Sequence, residues 1–135
     1  MKIVIAVLSC WLLAVSTMHG QSAMLDLREG MMIRISEIEI HPEYLQGYKN
    51  ILREEAGASV RLEPGVIAIF PMYQKANPAE VRILEIYASR EAYEAHVKAP
   101  HFQKYKTSTL AVVKSLRLVD MEAIDAQTMN TIFRK

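Results

Sequence analysis

Titratable and aromatic side chains are concentrated between residues 85 and 105 of the 135-residue chain. Six side chains in this segment are candidates for a site, and they are Glu85, His96, His101, Tyr87, Phe102 and Tyr105. Carboxylates and imidazoles can transfer protons near neutral pH, and aromatic rings can stack on a planar substrate. The segment therefore predicts a small-molecule site at which protons are transferred.

Glu85 and the aromatic residues each have two interpretations. A buried Glu85 would suit proton transfer, whereas pairing with an arginine or a histidine would give it a structural role. Tyr87 and Phe102 fit a hydrophobic core as well as a pocket wall that stacks on substrate. Both interpretations of these residues remain open from the sequence.

The two histidines allow similar alternatives. His101 follows Pro100 at a corner, where its ring can reach a pocket or cap a helix. His96 lies on the apolar side of a predicted helix, where it is either a base or a hydrogen-bonded core histidine. A metal site formed by these two and His41 is disfavoured, because His96 and His101 are five residues apart across a proline and not at the i, i+4 spacing of two ligands on one helix face. No metal is expected.

Four segments have the composition and the partial alternation of β-strands, and they cover residues 31–40, 66–74, 81–88 and 115–121. Pro42 favours a helix that begins next to His41. Ser89 caps a second helix, and a further helical piece covers residues 101–113 after Pro100. Pro71 has no backbone N–H, so the second strand cannot form complete hydrogen-bond ladders on both sides and should lie at a sheet edge.

The order strand–helix–strand–strand–helix–strand is that of the split βαβ, or ferredoxin-like, arrangement. The predicted class is therefore α+β, with a four-stranded antiparallel sheet that is covered by helices on one face. The other face must also be hidden. Homodimerisation through the sheets is the simplest way to cover this second face.

The chain is predicted to be divided into three parts. Residues 1–22 resemble a secretory signal peptide, with Lys2 ahead of a short apolar run that is too short to span a membrane. Residues 31–122 form the domain, and residues 123–135 a loose tail. The single cysteine, Cys10, lies in the predicted leader. We therefore expect an exported bacterial protein, periplasmic or secreted, with no stable membrane insertion and no thiol chemistry.

Charge and glycine content exclude several functions. The chain has 16 basic and 15 acidic residues, so no basic field attracts nucleic acid. Its five glycines are too scattered to form a dinucleotide or phosphate loop. We therefore expect neither a nucleic-acid partner nor a nucleotide cofactor.

Residues 92–105 have the pattern Ala-x-x-x-His-x-x-x-Pro-His-Phe-x-x-Tyr, and residues 62–66 read Leu-Glu-Pro-Gly-Val. Both resemble the antibiotic biosynthesis monooxygenase family, which includes quinol monooxygenases. The resemblance covers residues 32–121. It implies a dimeric α+β barrel with a pocket between sheet and helices in each subunit. Characterised members oxygenate electron-rich phenols or quinols with O2, without flavin, haem or metal.

The resemblance implies a cofactor-independent monooxygenase that oxidises a small electron-rich aromatic or quinol with O2. The expected catalytic residues are His101, Glu85 and His96, and the expected substrate-binding residues are Tyr87, Phe102 and Tyr105. The alternatives are a non-enzymatic dimer for small-molecule binding or stress response, and an isomerase of the same fold. Haem degradation is disfavoured because residues 31–40 lack the asparagine of that branch and Tyr87 replaces its tryptophan.

Overall fold

Strands and helices follow one another in the predicted order in this computed structural model, which describes residues 30–125. The strands are β1 (Met32–Ile40), β2 (Val66–Tyr73), β3 (Glu80–Tyr87) and β4 (Val113–Met121). One turn of 3-10 helix (Pro42–Tyr44) precedes α1 (Leu45–Leu62), and α2 (Arg90–His96) and α3 (Pro100–Thr109) follow β3. The predicted leader, residues 1–22, and residues 126–135 of the predicted tail lie outside the described residues.

The four strands form one sheet in the order β2-β3-β1-β4, with every neighbouring pair antiparallel. In the centre, Ile35 pairs with Leu84 on one side and with Val119 on the other. Pro71 lies in β2 at an edge of the sheet. Its missing N–H therefore does not interrupt the hydrogen bonds of a central strand. This arrangement confirms the predicted α+β, ferredoxin-like fold. Among the described residues, no helix has the length and hydropathy of a membrane span.

The helices cover the face of the sheet to which the even-numbered residues of β1 point, and these residues alternate with half-buried ones. Ile38 and Ile40 join a core with Tyr48 and Leu52 of α1, each at most 3% exposed. Toward the start of β1 the inward positions become polar, because Arg34 and Ser36 occupy them. The covered face therefore has an apolar end, which stabilises the fold, and a polar end, which can hold a site.

The opposite face of the sheet is also divided. One end carries Ile33, Ile35, Phe70, Leu84, Val119 and Met121. Phe70 is 54% exposed and Met121 is 49% exposed. The other end carries cross-strand ion pairs, Glu37 with Arg117 at 2.5 Å and Glu39 with Lys114 at 2.6 Å. We call the apolar end of this face the apolar patch.

The turn between α1 and β2 packs closely against α2. Ala88 N donates to Gly65 O at 2.8 Å, and a Cβ atom at Gly65 would lie 2.5 Å from Cβ of Ala92. Ser89 caps α2 as predicted, since its Oγ accepts from Ala92 N at 3.2 Å. Only glycine allows this approach, which brings Glu63 beside α2.

Two helix boundaries differ from the prediction. The last helix ends at Thr109 rather than at residue 113, and Val113 already pairs with Ile40 in β4. A β-branched residue beside the central strand favours the ladder over another helical turn. After His41 the chain forms a 3-10 turn before α1 begins. As a consequence, Tyr44 is 50% exposed and lies outside the buried face of α1.

Candidate active site

A cavity of about 310 Å³ lies at the polar end of the covered sheet face, beneath α2 and α3. Its polar wall includes Arg34, Ser36, Glu55, Glu85 and His96, and most of the remaining wall is aliphatic or aromatic. The cavity opens beside β4, where the lining residues Leu116 and Leu118 are about half exposed. Pockets of this size and composition bind small molecules.

Two hydroxyl groups fix the carboxylate of Glu85 in the cavity wall. Ser36 Oγ donates to Glu85 Oε1 at 2.5 Å, and Tyr87 OH donates to Oε2 at 2.8 Å. Tyr87 is fully buried behind the wall. Burial, reinforced by the adjacent Glu85 carboxylate, raises the pKa of the Tyr87 phenol, so this phenol keeps its proton and remains a donor. The arrangement presents a fixed proton acceptor to the cavity.

A second carboxylate, Glu63, joins the two predicted histidines. Its Oε1 lies 2.9 Å from His96 Nδ1 and 2.5 Å from His101 Nε2. The His96 side chain is 3% exposed, that of Glu63 14% and that of His101 19%. Burial alone would raise the pKa of Glu63, but hydrogen bonds from the two imidazoles lower it. We call these three residues the His–Glu–His cluster.

The other nitrogen of His96 faces a third carboxylate. His96 Nε2 is 3.7 Å from Oε1 of Glu55, and Ser59 Oγ donates to that oxygen at 2.8 Å. Burial raises the pKa of Glu55, although Ser59 and the histidines partly offset this effect. His96 is therefore held between a carboxylate on α1 and one on the turn that follows α1.

Aromatic rings form the side of the cavity opposite the sheet. The centroid of Phe102 is 4.8 Å from that of His96 and 6.1 Å from that of Tyr105. Tyr105 OH and Tyr48 OH are 2.8 Å apart, and burial raises the pKa of Tyr105 to about 12. The rings are thus neutral and positioned to contact a planar ligand.

Arg34 carries positive charge in the wall of the cavity. Its guanidinium forms an ion pair with Asp120 of β4 at 2.6 Å and lies 4.6 Å above the Tyr93 ring. Burial alone would lower its pKa, but hydrogen bonds with Asp120 and Tyr93 raise it. Its ion pair with Asp120 therefore links β1 to β4 beside the cavity.

The structure brings together most of the side chains predicted for the site. Glu85, His96, Phe102 and Tyr105 all line the cavity. The other two predicted residues contact the wall from behind: Tyr87 through Glu85, and His101 through the His–Glu–His cluster.

Two acidic residues of the site were not predicted. Glu55 interrupts the apolar face that Tyr48, Leu52 and Ala56 form on α1, and this break in periodicity is a signal that could have identified it. Glu63 directly precedes the Pro64–Gly65 turn, and its only signal is membership of the Leu-Glu-Pro-Gly-Val motif.

Known proteins share sequence and fold with this chain. The profile of the family described as antibiotic biosynthesis monooxygenase matches residues 31–108. A Bacteroides thetaiotaomicron structure that carries the family name is 45% identical over 73% of this chain and 93% of its own, with a TM-score of 0.72. A Lactobacillus acidophilus protein described as a monooxygenase is 28% identical over 69% of this chain and 44% of its own, with a TM-score of 0.68.

More distant structures share the fold alone. One from Nitrosomonas europaea is 18% identical over 70% of this chain and 90% of its own, with a TM-score of 0.66. The comparison with curated proteins found no significant match.

Proposed function

Because the chain belongs to the antibiotic biosynthesis monooxygenase family, we propose that its cavity oxidises a small electron-rich aromatic, such as a quinol, with O2. One quinol and one O2 give a hydroxyquinone and one water, so the substrate supplies every electron. The first step is removal of a phenolic proton, since the phenolate donates an electron to O2 far more readily than the phenol.

The observation that carries this proposal is the carboxylate of Glu85 in a largely apolar cavity. Ser36 and Tyr87 hold it in one orientation, so a bound phenol meets a proton acceptor that needs no rearrangement. The apolar walls strengthen the electrostatic contacts of the anion that forms.

The aromatic wall supports the same substrate class. Phe102 and Tyr105 face the sheet across the cavity and can stack on a ring whose hydroxyl group points to Glu85. Arg34 of β1 is the register partner of Glu85 in β3. It therefore lies close enough to Glu85 to offset the negative charge of a phenolate bound there.

Oxygen uptake by the purified protein with a panel of quinols and polycyclic phenols tests the proposal. We expect uptake to match substrate loss one to one. Glu85→Gln keeps the shape and removes the proton acceptor, and it should lower turnover by about 10²–10⁴-fold. Glu54→Gln, an exposed substitution on α1, is the matched control and should leave turnover unchanged.

The same panel separates the proposed enzyme from the alternatives. Ligand binding without oxygen uptake would favour a non-enzymatic binding protein, and substrate isomerisation without uptake would favour an isomerase. Full activity of Glu85→Gln would remove Glu85 from the role of base.

We propose further that two copies pair through the apolar patch. The patch is a contiguous hydrophobic surface of the kind that soluble monomers rarely expose, and the charged end of the same face limits how the copies can be aligned. Pairing of the sheets would produce the barrel that the family resemblance implies.

A further inference from the structure

The His–Glu–His cluster has a geometry that the proposed reaction does not require. Glu63 Oε1, His96 Nδ1 and His101 Nε2 all lie within 4.8 Å of one another. Of the three residues, His96 lines the cavity, whereas Glu63 and His101 do not, so most of the cluster lies behind the cavity wall. Glu85, and not this cluster, is the base in the proposed reaction.

Two imidazoles and one carboxylate are a ligand set that divalent transition metals prefer. Zn²⁺ binds nitrogen and carboxylate oxygen at about 2.0–2.2 Å, which places tetrahedral ligand atoms roughly 3–3.5 Å apart. The Glu63 oxygen already lies 2.9 Å from His96 and 2.5 Å from His101. Small side-chain rotations would allow all three atoms to contact one ion and would leave a fourth position for water.

The surroundings of His96 match those of a metal ligand. Metal-bound histidines usually direct their second nitrogen to a carboxylate or a carbonyl, which fixes the ring. His96 faces Glu55 with its second nitrogen at 3.7 Å, and Ser59 holds that carboxylate from the next turn of α1. The outer contacts that such a site needs are therefore in place.

Solvent can reach the cluster without passing through the cavity. The side chains of Glu63 and His101 are 14% and 19% exposed, whereas the polar groups behind His96 are buried. An ion can therefore enter from the side of the α1–β2 turn, and its fourth position would face water.

We propose that Glu63, His96 and His101 bind one divalent transition-metal ion, with Zn²⁺ as the best match to the ligand set. The three ligands come from the turn after α1, from α2 and from α3, so the ion would fasten these segments together and hold one wall of the cavity. Binding to the folded state alone would raise stability in proportion to the logarithm of the metal concentration.

Cobalt substitution and thermal unfolding test this site without substrate. The full-length protein is purified without a histidine tag, stripped with chelator and titrated with Co²⁺ and then Zn²⁺. We expect visible absorption bands of tetrahedral Co²⁺ that saturate at one ion per chain, their loss on addition of Zn²⁺, and a higher melting temperature with Zn²⁺.

Three variants locate the ion. Glu63→Gln keeps a hydrogen-bond acceptor for both histidines but removes the carboxylate, and His101→Gln removes a partly exposed ligand. Loss of a residue that only supports a metal ligand typically weakens metal binding by roughly 10–100-fold. Each of these two variants loses a ligand itself, so each should weaken binding by at least that factor. His41→Gln makes the same chemical change at a histidine outside the cluster and should bind Co²⁺ as the parent chain does.

Either of two results would overturn the proposal. One is a chain with no Co²⁺ bands and no Zn²⁺-dependent change in melting temperature. The other is binding that persists in folded Glu63→Gln and His101→Gln chains, which would place the ion elsewhere. Because no substrate is present, a failure to consume O2 leaves this result unaffected.

Discussion

The hydroxyl groups of Tyr48 and Tyr105 are hydrogen-bonded to each other at 2.8 Å, and Tyr48 is only 1% exposed. Removal of one hydroxyl leaves the other buried without that partner, which costs about 1–3 kcal/mol. We predict that Tyr105→Phe lowers the free energy of unfolding by about this amount, as measured by urea denaturation.

The double variant Tyr48→Phe and Tyr105→Phe is the control for this prediction. It removes both polar groups, so its loss of stability should be smaller than the sum of the two single losses. Strictly additive losses would show that the hydroxyl pair contributes no coupling.

At the level of single residues, the sequence identified the side chains that share one segment. Glu85, His96 and Tyr105 could be predicted because they lie within 21 consecutive positions. Glu63 could not, because its contact with His96 spans 33 residues of sequence and depends on how a turn packs against a helix. Local spacing carries no information about such a contact.

At the level of elements, the close packing of Gly65 against Ala92 allows a direct test. Gly65→Ala would place a methyl group 2.5 Å from the Ala92 Cβ, so the turn or α2 must move. Overpacking of this kind typically costs ~1–3 kcal/mol. We predict a lower melting temperature and, because the turn carries Glu63, a disturbed His–Glu–His cluster.

Gly47 is the matched control for this substitution. Apart from its chain neighbours and the backbone of its own helix, a Cβ atom at Gly47 would meet no atom within 4 Å. Alanine favours a helix over glycine by up to about 1 kcal/mol. Gly47→Ala should therefore raise the melting temperature slightly. Equal destabilisation by both changes would contradict the packing argument.

Strands were easier to predict than helix ends. Alternation and β-branched residues identified all four strands of the described chain within two residues at each end. Prediction of the last helix was wrong by four residues, because Val113 pairs with Ile40. That pairing depends on the position of β1, which the local sequence of α3 does not encode.

For the whole molecule, the apolar patch predicts a dimer. Light scattering at micromolar concentration should return twice the mass of the purified chain. Phe70→Glu places a charge in the patch beside Leu84 and should shift the protein toward monomer, because burial of an unpaired charge is costly.

The control for the dimer lies at the end of α1. Leu62 is 69% exposed on the helical side of the sheet, so Leu62→Glu should remain dimeric. A parent chain that is monomeric under these conditions would contradict pairing through the patch.

Export is a second proposal for the whole molecule. Mass spectrometry of the protein from a bacterial host should find a mature chain that begins near residue 23. An intact Met1 in the cytoplasmic fraction would contradict it.

The central position of β1 also sets the order in which a newly made chain can complete its fold. β1 is the first of the described strands to be synthesised, yet both strands that it pairs with, β3 and β4, come later. β2 is made second but lies beyond β3, so a nascent chain that ends after β2 has two strands with no partner. Arg34 lines the cavity, and its ion pair with Asp120 joins residues 86 positions apart. Long-range pairing of this kind is slow and leaves strand edges open in the meantime. The cavity therefore forms only after the last strand has been synthesised, and a chain truncated before β4 has no complete site.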